Sequence, residues 1–375
     1  MKTKPAYRRR LPLMEPLQSR LLLSAAPMVT QTNLVTDGGP NSPAAANTDP
    51  SLINPWGLTI GTDNDLWVSN NNSGTTTLYN AGGGSAGLPA ISIPLPPGQT
   101  GPAGPTGVIS NTAGTGFDVT ENGHTAPSNF VFVTEQGIVA GWSDSVDLSK
   151  AITAVDDSAS GAVFKGATTA PGLTGGRDLF IADFGRDKIV VLNSSFKNVP
   201  HGGLFVDPSI PKGFAPFNIQ RLDGDIYVTY AEQDAEKAND VPGKGNGFVD
   251  VYSDGGTLLR RLASGGVLNS PWGLAVAPPT FGSFAGDILV GNFGNGRINA
   301  FSTTGISEGK VLNSSGTPLI ISDLWSLTSG TPSVGGADTL YFTAGADNQN
   351  GGVLGTLTAD QISSDPSTPG PINGY

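Results

Sequence analysis

Asn70, Glu135, Asp183, Tyr230 and Asn292 each close a short, strongly β-forming run of the sequence: LWVSN, FVFVTE, LFIAD, IYVTY and ILVGN. A sixth such run, LYFTA, ends in Ala344. Two carboxylates, two amides and a phenol gathered at one opening would make an oxygen-rich site. Calcium takes about six to eight oxygens from carboxylates, carbonyls and waters, so Glu135, Asp183, Asn70 and Asn292 form a candidate calcium set. The alternative chemistry is hydrogen bonding to neighbouring loops, with Asp183 paired to Arg186 or Arg177.

Such residues meet only if the runs belong to repeated elements, and the sequence repeats. INPWGLTI at 53–60 returns as NSPWGLAV at 269–276. Six units follow this pattern, starting at Trp56, Thr106, Lys165, Phe217, Trp272 and Trp325, with spacings of 50, 59, 52, 55 and 53 residues. Each unit holds a short apolar strand, a turn, a continuous apolar strand and a third strand. The spacing suits propeller blades, whose repeats run to about 40–50 residues. Strands covered on both faces by neighbouring blades read as unbroken apolar runs. The last unit supplies three strands, and TNLVTDG at 32–38 can provide its fourth, which removes an exposed sheet edge. The expectation is an all-β, six-bladed propeller over residues 31–360, closed by an N-terminal strand.

In that ring the unit starts face the axis. Four of the six are aromatic. They would either stack on a sugar or other flat ligand, or wedge the blades together, as large aromatics do in cores. Lys165 is the odd member, a lone cation among aromatics and acids. Most units place Gly after the start residue, whereas blade four has Asn218 and blade six Ser326. Tyr230, Lys165, Asn218 and Trp325 are the candidate ligand contacts.

Other polar features read as scaffold. An acid or amide precedes the second strand in every unit: Asp65, Asn129, Asp178, Asp225, Asp287 and Asp338. Recurrence in all units points to Asx turns. The two histidines, His124 and His201, lie in Gly-, Asn- and Pro-rich connections and read as surface residues; neither stands in a nucleophile elbow and no HExxH occurs. GKGNG at 243–247 lacks the context of a phosphate loop. It ends an insertion, 231–247, that starts beside Tyr230 and would be either a lid over the mouth or a surface loop.

The chain carries a net charge of −11, of which residues 1–26 contribute +5, leaving −16 for the remainder. A body that acidic repels phosphate backbones, so nucleic acid is not an expected partner. Cysteine is absent, which excludes disulfides and thiol chemistry. Residues 1–30 have the charge order of an export signal, interrupted by Glu15, Gln18 and Arg20; the alternative is a basic tail. No run is long enough to span a bilayer, and 361–375 reads as a polar tail.

MEPLQSRLLLSA resembles the LEPR-XLL type of N-terminal segment found on many bacterial surface and secreted proteins. GNGRINAF and PWGLAV resemble NHL-type and TolB-like six-bladed propellers. The ordered set INPWGL, FAPFNIQ, LNSPWGLAVAP, ILVGNFGNGRI and LYFTAG is similar to a family of uncharacterised exported bacterial propellers. Many of its members end in a sorting helix; 361–375 does not read as one, so anchoring by that route is not expected. The resemblance implies a propeller and an exported life, and no activity. In the arrangement of acid and Asn residues alone, the chain also resembles lactonase and gluconolactonase-type propellers, which implies a channel-mouth calcium. Three functions follow as expectations. The first is an exported, monomeric binding module for a small molecule, glycan or surface protein. The second is a calcium-dependent hydrolase with Glu135 or Asp183 as base, and the third is a structural surface protein.

Overall fold

A computed structural model describes residues 26–360; the stretch 1–25 of the expected export segment and the tail 361–375 lie outside the described residues. The apolar runs form six sheets arranged as blades, antiparallel apart from two short parallel pairings of Met28–Thr36, with Asn47–Thr48 and Leu312–Asn313. Blade one, from the channel outward, is Pro55–Ile60, Leu66–Asn70, Thr75–Tyr79 and Ile91–Ser92. Its second strand is buried along its whole length, as are Phe130–Thr134 and Ile288–Asn292 in blades two and five, because neighbouring sheets cover both faces. Blade three has three strands. Its outer edge is protected instead by Val199, whose N–H donates to Val191 O at 2.8 Å, and by His201, whose Nε2 lies 3.0 Å from Ile189 O.

The sixth blade is completed from the other end of the chain. Met28–Thr36 pairs antiparallel with Val353–Ala359 and buries Val29 and Val35. The closing strand thus contains the TNLV of the expected segment and begins four residues earlier, at Met28.

The innermost strands touch one another in cyclic order. Each has a register break at its unit start, so that Trp56, Thr106, Lys165, Phe217, Trp272 and Trp325 are bulged out of the ladder. A bulge re-aims a side chain; six at one level aim the start residues at the axis. There Trp56 stacks on Trp325 with centroids 3.6 Å apart, and Trp272 meets both edge-on at 6.3 and 5.8 Å. Phe217 and Phe184 complete an aromatic plug. The aromatic starts therefore pack against each other across the channel.

The Gly that follows most starts is a contact requirement. A Cβ on Gly57 would lie 2.5 Å from Thr106 O, and one on Gly273 2.6 Å from Trp325 O, each in the next blade. Where the ring departs from Gly it substitutes a bond: Asn218 Nδ2 donates to Trp272 O at 2.8 Å. Gly273→Ala is expected to lower stability by about 1–3 kcal/mol through overpacking against backbone, read as a lower denaturant midpoint. A midpoint unchanged from the parent would remove the close-approach explanation.

Candidate functional site

The strand pairing shows why the expected oxygen ring does not assemble. Opposite the residue before each bulge stand Asn70, Thr134, Asp183, Tyr230, Asn292 and Ala344. Glu135 is therefore one residue out of register with the other four, and a one-residue shift on a strand reverses the side chain's face. Asn70 Nδ2 donates to Thr77 Oγ1 at 3.0 Å and Thr75 Oγ1 at 3.2 Å within its own blade. The Tyr230 hydroxyl meets that of Tyr252 at 2.8 Å, and burial holds its pKa well above the usual phenol range. Asn292 Nδ2 donates to Val267 O at 2.8 Å. Asp183 accepts the N–H groups of Val163 and Arg186, each at 3.2 Å, and pairs with the Arg186 guanidinium, as the alternative reading anticipated.

The channel-facing ring is the next position along: Asn71, Glu135, Phe184, Ala231, Phe293 and Gly345. Phe184 and Ala231 belong to the plug and Phe293 packs on it. Glu135 receives an N–H from Asn71 Nδ2 at 3.0 Å and the ammonium of Lys165. The Lys165 side chain is 2% exposed, and its Nζ sits 5.0 Å from the Trp56 ring centroid and 5.9 Å from that of Phe184.

Calcium does not fit these residues. Glu135 is taken by Lys165 and Asn71, Asp183 by Arg186, and the two amides by their own blades or adjoining loops. Among the described residues no three His, Asp or Glu side chains are spaced to hold a metal.

Above the plug lies a cavity of about 350 Å³. Its floor is Trp56, Trp325 and Phe293, with Phe293 stacked on Trp325 at 4.1 Å. Lys165 is part of its lining. The insertion 231–247 reaches the opening: Gln233 Nε2 donates to Phe184 O at 2.5 Å, and Asn239, Asp240 and Pro242 form part of the wall. It is held by Asp234, whose Oδ1 accepts the Ala238 N–H at 2.8 Å. The opposite wall comes from blade six, through Asp323 and Gln349. Gln349 ends a run of positive φ over Ala346, Asp347, Asn348 and Gln349, at 31°, 46°, 53° and 68°. Such backbone costs energy in L-residues and persists where its surroundings fix it. Here Asn54 Nδ2 donates to Gln349 Oε1 at 3.1 Å and Asn72 Nδ2 to Gln349 O at 2.8 Å. Burial raises the pKa of both Asp240 and Asp323.

Of the candidate ligand contacts, Lys165 and Trp325 line this cavity; Asn218 lines a separate one of about 170 Å³ on the far side of the plug. The acids before the second strands are also corrected. Asp63, not Asp65, makes the Asx turn in blade one. Asp178 accepts the Leu173 N–H at 2.9 Å, and Asp225 lies 3.7 Å from Arg260. His124 is exposed, but His201 is half-buried with its edge on Phe205. Lys165→Met alone leaves Glu135 without its cation and is expected to cost about 1–3 kcal/mol, while adding Glu135→Gln should recover most of it. Equal loss in the single and double variants would show that the pair is not the source.

No family model matches the chain. Uncharacterized protein R648 of Acanthamoeba polyphaga mimivirus is 34% identical over 325 residues, covering 85% of this chain and 78% of the viral one. Uncharacterized protein L690 of the same virus is 33% identical over 327 residues, covering 85% and 83%. The chain belongs to their family. The relatives that show it are thus viral, a correction to the bacterial family suggested by the motifs. A protein of unknown function from Bacteroides thetaiotaomicron shares the fold, with a TM-score of 0.50, 11% identity, and coverage of 89% of this chain and 76% of that one. Virginiamycin B lyase from Staphylococcus aureus superposes with a TM-score of 0.47 and 11% identity, covering 88% and 99%. Among the described residues no helix is long and apolar enough to cross a membrane.

Proposed function

We propose that the protein is an exported, monomeric binding module that takes a small molecule in the cavity at one mouth of its channel. The observation carrying this is the cavity itself: aromatic floor, buried Lys165, and polar walls from two loops that depart from the blade repeat. A pocket of a few hundred Å³ with an apolar body and a few placed polar groups is the usual form of a ligand site. Export is supported by the basic start of the chain and its LEPR-XLL-like segment. The test is a thermal-shift panel of sugars, amino acids and amines, because a ligand of the folded state raises its stability by mass action. A ligand is expected whose effect is lost in Phe293→Ala. If every effective compound acts equally on that variant, or none acts, the reading fails. A calcium arm is expected to match the chelator arm.

A further inference from the structure

The chemistry of that cavity narrows the ligand, and the inference rests on the binding reading above. The Asp240 carboxylate stands in the wall with the Ser270 hydroxyl beside it and, among the described residues, no cation paired to it. A carboxylate held largely out of water without a charged partner is costly, and native structures usually supply one. Lys165 does not, since its ammonium is directed to Glu135 and lies against Trp56 and Phe184. The wall carries Asp240 and Asp323 against Lys165 alone, and Lys165 is already matched by Glu135. The cavity is therefore short of positive charge. Its floor is aromatic, and aromatic faces attract cations. The protein already places one ammonium there, on Trp56, by means of Lys165.

We infer that the mouth cavity binds an organic primary ammonium group, its N–H donors directed to Asp240 and its carbon chain against Phe293. A charge-assisted bond to the Asp240 carboxylate supplies the missing positive partner. The requirement for N–H separates a primary ammonium from a quaternary one, and the requirement for charge separates it from an alcohol.

Trp56 and Trp325 border the cavity, so tryptophan fluorescence reports occupancy. Purified protein is titrated with n-butylammonium, n-butanol, butyrate, tetramethylammonium and glucose. Saturable binding of n-butylammonium is expected, at least tenfold tighter than of the other four, and weakened at least tenfold in Asp240→Asn. The comparison among probes uses the parent protein, so the claim is testable even if that variant does not fold. Equal or tighter binding of n-butanol or tetramethylammonium overturns the inference, as does unchanged affinity in a folded Asp240→Asn. Preferential saturation by glucose or butyrate, lost in Phe293→Ala, overturns the ammonium claim and leaves the binding site standing. No saturable response to any probe overturns the ammonium claim, and the wider panel then decides whether the binding reading falls with it.

Discussion

Removing Met28–Thr36 is expected to abolish cooperative folding of the entire ring. That strand is the outer member of the last blade and pairs with Val353–Ala359 along nearly its full length. Its loss would expose Val29 and Val35 partners in two core clusters and leave an apolar edge open to other chains. A domain's margin is about 5–15 kcal/mol, and this change removes a whole sheet contact and the closure together. A chain beginning at Ala26 keeps the strand and should melt in one sharp transition. The comparison is made by near-UV circular dichroism and thermal melting of both proteins. A deletion variant that melts as cooperatively as the longer one would show that the ring closes without this strand.

Trp325→Ala should be the most damaging single substitution in the channel. Trp325 is fully buried between Trp56 and Phe293, and its Nε1 donates to Asn54 Oδ1 at 3.0 Å. Truncating a buried aromatic to Ala costs about 3–5 kcal/mol, and here it also orphans an amide. Trp325→Phe keeps most of the stack and should cost less than half as much. Denaturant unfolding distinguishes them: the midpoint should fall in that order with an unchanged slope. If the Ala variant lost under about 1 kcal/mol, below the usual cost of a core truncation, the plug would not be holding the blades.

The sequence made the ring legible because a repeat is its own alignment. Six unbroken apolar runs at propeller spacing predict six blades, and TNLVTDG is the one strand-like run left to complete the last. The start residues were legible for the same reason. The second ring was misread because a period-2 strand punishes a shift of one: FVFVT, not FVFVTE, aligns with LWVSN, so Glu135 reaches the axis while Asn70, Tyr230 and Asn292 do not. Phe293 sits directly after Asn292, and the same shift would have found it. Asp240, Asp323 and Gln349 were harder to see, since they come from connections that do not repeat. The one sequence signal for Asp240 was the length of the 231–247 insertion.

The plug has a further consequence. Its two sides share no lining residue: Trp56, Lys165 and Trp325 belong to one cavity, Trp272, Asn218 and Arg221 to the other. What looks from the strand order like a bore through the molecule is two blind wells set back to back. The aromatic plug fills the ring between them. The wells still share one plug, because Trp56 and Trp325 on one side pack edge-on against Trp272 on the other, so a change in the floor of either is felt at both ends of the propeller.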